Sequence, residues 1–234
     1  MHNWYANLKI LSKILTVLGL MGALTLGSAF YTGRQMHAVD DADTFIIEHP
    51  DKANVALARV NRNLMAYYAG IYQLASSTTE EGNKGALKFI KSATEGIETF
   101  AVEAKKADPA VTEGLDKILG QLHACMEKDC GEAIKFGSST DATENAKAVK
   151  IMQDKCGPQL LQIVTEFKDF IDENVKRGDK LSAEATTMID HMITQTILMI
   201  VLGLVLISGL AVVLTRKFVT TPIRAIEGGL AELG

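Results

Sequence analysis

The chain has little of what most enzymes and most sheet proteins are made from. Only four of its 234 residues are proline, aromatic residues make up 6%, and there is a single Trp. No stretch sustains the alternation of apolar and polar residues that a half-buried strand requires, so a sheet-built fold is excluded. Three cysteines are too few for a disulfide-dense secreted scaffold. There is no glycine-rich phosphate loop, no Cys-x-x-Cys-His for covalent haem and no nucleophile–base constellation. Catalysis is therefore not expected, and neither is a metal or other cofactor. His123 and Glu127 share a helical face near Cys130, but a fourth ligand at suitable spacing is missing.

What the chain has instead is apolar residues in two long runs. Ile14–Thr32 is 19 residues without a charge, and Ile193–Thr215 is 23 with only Thr194, Gln195, Thr196, Ser208 and Thr215 as polar interruptions. As helices these runs reach roughly 28 and 35 Å, against a hydrocarbon core near 30 Å. Both read as membrane spans. Lys9 and Lys13 ahead of the first, with Gly27-Ser28-Ala29 near its end, also fit a cleaved signal peptide. The run is longer than a usual signal core and the sequence beyond it stays helical, which favours an uncleaved anchor.

Charge orients the two spans. Only five of the 24 Lys and Arg residues (Lys9, Lys13, Arg216, Lys217 and Arg224) and two of the 28 acidic residues (Glu227 and Glu232) lie outside the intervening segment, which is left at about −7. Short basic ends remain in the cytoplasm, so the long acidic segment is expected outside. A surface of that sign argues against nucleic acid as a partner.

Between the spans every signal is helical. Residues 31–47 can continue the first span until Glu48-His49-Pro50-Asp51 interrupts it. From Asp51 to about Ser77, the residues Leu57, Val60, Leu64, Tyr67, Ile71 and Leu74 form a continuous three–four seam. A polar turn over Ser76–Asn83 precedes a second helix from about Lys84 to Ala107, with Leu87, Ile90, Ile97, Phe100 and Ala104 on one face. Asp108-Pro109 places a cap and a first-turn proline at the head of a third helix lined by Val111, Leu115, Ile118, Leu119, Leu122 and Met126. After Gly137-Ser138-Ser139, Asp141 to Glu144 reads as a capping box for a fourth helix. Gly157-Pro158 should kink or briefly break it, before Leu160, Leu161, Val164, Phe167, Phe170 and Ile171 resume the apolar face. No convincing stop separates Gly178 from the second run. Short turns make neighbouring helices antiparallel, so the expectation is an all-α chain with two transmembrane helices flanking an up-down-up-down four-helix bundle. Pro50 and Gly178 lie at similar distances from the two spans and suggest a two-helix stalk below the bundle.

Cys125, Cys130 and Cys156 all fall in the exported segment, where disulfides persist. Cys125 and Cys130 are five apart, which on an α-helix turns them about 140° from each other. Any bond then involves Cys156, and Cys130–Cys156 is the favoured pair. It closes a loop of about 27 residues and contributes about 3 kcal/mol on chain-entropy grounds. Three buried reduced thiols are the alternative.

Beyond the second run, Pro222-Ile223-Arg224-Ala225-Ile226 is followed by Leu230 and Leu233 at coiled-coil steps. This segment resembles the first helix of a HAMP linker, a parallel dimeric coiled coil that relays motion from a span. Ala58-Arg59-Val60-Asn61-Arg62-Asn63-Leu64 resembles the first helix of the four-helix-bundle ligand-binding domains of methyl-accepting chemotaxis proteins. The order of parts is similar to that family over the whole chain. The division it implies is a cytoplasmic N-terminus (1–13), first span (14–32), periplasmic sensor domain (33–191), second span (192–215) and the start of a HAMP linker (216–234). The resemblance implies a homodimer in the bacterial inner membrane that takes a small-molecule ligand in the periplasm. It further implies signal relay through Pro222 and Ile226 to a cytoplasmic histidine kinase and a coupling protein. Those partners would be reached through sequence beyond Gly234, so the chain is expected to be the N-terminal part of a longer receptor.

In related receptors arginines on the first bundle helix hold a ligand carboxylate, which makes Arg59 and Arg62 the leading candidates, with Asn63 beside them. The planar guanidinium fork suits that task. Both arginines point away from the Leu57/Val60/Leu64 seam, where charge is commonly just solvated. Tyr68 and Tyr72 share a face that could line a pocket, whereas Tyr67 lies on the seam and packs. The same order of parts also fits the sensory half of a membrane histidine kinase or cyclase. A membrane adaptor that binds a protein partner is the alternative of another class.

Overall fold

The computed structural model describes residues 10–221, and among them no residue is in a strand. The helices are α1 (Ile10–Ile46), α2 (Lys52–Ser76), α3 (Glu80–Ala107), α4 (Thr112–Cys125), α5 (Gly131–Gly137), α6 (Ala142–Ile151) and α7 (Gly157–Thr215). Single π-helical turns join α1 to α2 (Ile47–Asp51), α4 to α5 (Met126–Cys130) and α6 to α7 (Met152–Cys156), and another follows α7 (Arg216–Thr220). The described chain is thus four helical stretches separated by short turns. Two compact units divide it: Asp43–Ala183 is one, and the chain up to Ala42 together with that from Glu184 is the other.

At both places where proline is expected to interrupt or kink the helix, a single π turn interrupts the α-helical register while the chain stays helical. At Pro50 the chain stays helical because a π turn absorbs the residue: a bond register widened by one removes the demand for the N–H that proline lacks. At Pro158 the same device sits just upstream, where the Gly157 N–H donates to the carbonyl of Met152, five residues back. A Cβ on Gly157 would run into that carbonyl oxygen, so the glycine is a steric requirement of the turn. Gly178 does not interrupt α7 either. It is buried, and a Cβ built on it would lie 3.8 Å from Pro50 Cβ, so the two residues mark a close helix–helix approach.

The second helix begins at Glu80, four residues earlier than its apolar pattern indicates. Thr79 accepts a hydrogen bond from the Gly82 N–H at 3.1 Å, and Glu80 and Glu81 lie against the positive end of the helix dipole. Asp108 caps the third stretch through the Ala110 N–H, and Asp141 caps α6 through the N–H groups of Thr143 and Glu144. Those two backbone hydrogen bonds hold the exposed Asp141 carboxyl below its ordinary range.

Within the unit Asp43–Ala183 one hydrophobic core takes side chains from all four stretches. Every residue of the α2 seam, Leu57, Val60, Leu64, Tyr67, Ile71 and Leu74, is buried. On α3 the buried stripe is mostly alanine (Ala86, Ala93, Ala101, Ala104) with Ile90 and Ile97, while Leu87 faces out. Small residues let α2 and α3 approach closely: Gly70 lies against Ile90 and Phe89, and Gly96 against the Asn63 amide. One end of the core is tied by Asn83, which donates to the carbonyls of Ser138 and Ser139, and by Asn145, which donates to that of Ser77.

The other unit is built from the apolar ends of α1 and α7. Mean hydropathy over 18 residues reaches 1.7 in the helix Ile14–Ser76 and 3.1 in the helix Ala142–Thr215, enough in both cases to cross a membrane. Its apolar side chains are largely exposed, Leu26, Phe30 and Leu206 by more than two-thirds. Gly203 lets α7 approach Leu24 of α1, and the Tyr31 hydroxyl donates to Gln195 at 3.1 Å.

Candidate functional site

At the start of α2, Lys52, Val55, Ala56 and Arg59 form a stripe at helical spacing that faces the C-terminal part of α3. Together with Ile47, Asp51, Glu103 and Ala107 they line an open groove of about 420 Å³. Its floor is apolar and its rim holds two cations and two carboxylates. That is the composition of a site for a small polar molecule with an apolar body.

Arg59 is the best-placed charge in it. Its guanidinium lies 3.9 Å from the Glu103 carboxylate and 5.2 Å from the centre of the Phe100 ring. Both members of the ion pair are about half exposed, so the pair is weak in water and open to replacement by another anion. Lys52 is 3.5 Å from Glu48 one turn back, again at the surface. Beneath the groove His49 and the carbonyl of Ala107 are 2.6 Å apart, which gives the last turn of α3 a partner. Asp108, the next residue, is ion-paired with Arg177 of α7.

The remaining candidates do not converge there. Arg62 is exposed and makes no ion pair among the described residues. Asn63 donates to the Arg59 carbonyl at 2.8 Å and packs against Gly96, so it serves the α2–α3 contact. Tyr68 and Tyr72 pack edge to face with ring centres 5.0 Å apart on another side of α2, Tyr68 lying beside Gly157 of α7. The Tyr72 phenol is pushed above its ordinary range by burial and then by Tyr68. His123 is 2.6 Å from Glu98 of α3 and pairs with it rather than with Glu127. Pro222 and Ile226 lie outside the described residues.

Lys52, Asp51 and Glu103 complete the groove and are not singled out as site residues by the sequence pattern, and Phe100, expected only on the apolar face of its helix, lies beside Arg59. Lys52 and Arg59 are seven apart, a shared helical face that could have been noticed. Glu103 and Phe100 are on a different helix, and their place opposite Arg59 depends on α2–α3 register.

The cysteines lie away from the groove, with Gly157, next to Cys156, beside Tyr68 of α2. Cys130 and Cys156, each the last residue of a π turn, are joined by a disulfide with Cα atoms 4.9 Å apart. Cys125 is a buried free thiol with its Sγ 3.4 Å from that of Cys130. Burial, followed by the neighbouring Asp129 charge, pushes the Cys125 thiol up to about 11. No protein family, curated protein or solved structure matches the chain.

Proposed function

We propose that the chain is the sensory part of a bacterial transmembrane receptor of the chemoreceptor type. In this reading the segment around residues 43–183 is an up-down-up-down four-helix bundle held in the periplasm. It binds a small organic anion in the groove at Arg59. The observation that carries the reading is a groove with Arg59 and Lys52 on its rim, on a helix, α2, that is continuous with a membrane-length apolar segment.

Other features support it. Three short turns and one core shared by four helical stretches fit the bundle. The disulfide fits an oxidising compartment, and the basic ends fit an orientation with both termini inside. An anion entering the groove displaces Glu103 from Arg59 and changes what holds α2 to α3. The resulting shift, of the 1–2 Å common for such helices, passes to a span along the helix axis. The receptor works as a homodimer and does no catalysis itself. Its output runs through a HAMP linker to a histidine kinase and coupling protein.

The test is a thermal-shift screen of the full chain in detergent against small carboxylic acids and amino acids, with calorimetry on the hits. At least one carboxylate should bind. Arg59→Ala should weaken it by roughly 10–100-fold, the worth of one charge-assisted pair, while Arg62→Ala leaves it unchanged. Glu103→Gln, which removes the internal competitor, should bind more tightly. No hit across the panel, or a hit indifferent to Arg59, would overturn the proposal, and a protein partner captured without any small-molecule hit would favour a membrane adaptor.

A further inference from the structure

Three sulfur atoms lie together in the core, and only two of them are bonded. Cys125 and Cys130 should face away from each other if the helix between them were regular, because five residues of α-helix turn the side chain by about 140°. The π turn Met126–Cys130 changes this. Its widened coil brings the fifth residue round over the first, and the Cys125 and Cys130 sulfurs end 3.4 Å apart. Cys130 is at the same time bonded to Cys156 at the end of the facing π turn. A buried thiol is thus in contact with one sulfur of a disulfide, the arrangement from which thiol–disulfide exchange starts.

We propose that this disulfide is exchangeable from within: the Cys125 sulfur attacks that of Cys130, and the crosslink passes from between two helices to within one. The step is balanced without any outside reagent. Cys125 loses its proton, a Cys125–Cys130 bond forms, the Cys130–Cys156 bond breaks, and the departing Cys156 thiolate takes up a proton. No net oxidation or reduction occurs. The exchange removes the covalent link between the turn Met126–Cys130 and the turn Met152–Cys156 and leaves Cys156 as a free thiol at the head of α7. Noncovalent contacts still bridge the region, with Gln159 donating to the buried Asp129 at 2.8 Å and Lys155 lying 3.7 Å from Glu132.

The surroundings slow the exchange at neutral pH. The titratable groups that face Cys125 are Asp129 on its own helix and Tyr67 on α2, and neither is a cation that would hold a thiolate. Burial also keeps the thiol protonated, so the attacking form is scarce and the exchange slow. Its rate should rise about tenfold per pH unit below the thiol's titration, in step with the thiolate fraction. This inference does not depend on the receptor reading, since it concerns only the core.

The experiment uses the full chain, folded in detergent at pH 7, 8 and 9 with no added thiol. Samples are quenched in acid at intervals, unfolded, alkylated and digested. Trypsin cuts after Lys128 and Lys155, which places the three cysteines on separate peptides. The expected result is a Cys125–Cys130 pair with alkylated Cys156, accumulating faster at each higher pH and at a rate independent of protein concentration. Cys125→Ser should abolish it. As a second arm, Cys156→Ser exposed to oxidised glutathione should close a Cys125–Cys130 bond. The proposal is overturned by Cys130–Cys156 alone at every pH, by a Cys125–Cys156 pair, or by two unpaired thiols or glutathione adducts in Cys156→Ser.

Discussion

Single residues carry more of this structure than composition suggests. At Gly157 a π turn brings the Met152 carbonyl to the position of a side chain, so Gly157→Ala must open that turn or move Met152. The expected loss is about 1–3 kcal/mol, the usual range for overpacking, read as a lower denaturant midpoint with an unchanged slope. Asp141 makes a different prediction. Its carboxyl is held below the ordinary range by backbone N–H groups, so its charge stabilises the folded chain above the unfolded value, and that contribution is lost as pH falls through the lower folded value. Asp141→Asn keeps a capping oxygen and removes the charge. Melting temperatures of the two proteins should differ at neutral pH and converge in acid; a constant gap across the titration would contradict the assignment.

Elements differ in how well the sequence announces them. The α2 seam is readable because large aliphatic residues recur at three–four steps, and each of the six positions is buried. The α3 stripe is harder to read, since alanine serves both core and surface, and the choice of Leu87 over Ala86 depends on which face α2 approaches. The π turns could not be read from the residues: prolines 50 and 158 signal a break, and only packing decides that a widened turn absorbs each of them. The same limit explains the groove. Arg59 could be singled out from its own helix, whereas Glu103 and Phe100 become its neighbours only through tertiary register. Two predictions belong to this scale. Phe167→Ala, which empties a fully buried position on α7, should cost about 3–5 kcal/mol. Reducing the Cys130–Cys156 bond should cost about 3 kcal/mol, visible as a lower melting temperature in a phosphine reductant.

For the whole molecule, the account depends on a division between apolar helix ends and a core with an acidic, polar surface. The two long helices, Ile14–Ser76 and Ala142–Thr215, contribute to both, and α3, α4 and α5 to the core alone. Lys and Arg predominate outside the apolar runs and acidic residues between them, which under the positive-inside rule puts the middle of the chain outside. The most direct test is a topology measurement in bacterial cells, with a reporter enzyme that becomes active only when exported and able to form its disulfides. It is inserted in turn after Ser139, ahead of Asn3 and after Gly234. The account predicts high activity from the Ser139 insertion and none from the two ends. Activity at either end, or silence at Ser139 with the protein present in the membrane, would contradict it.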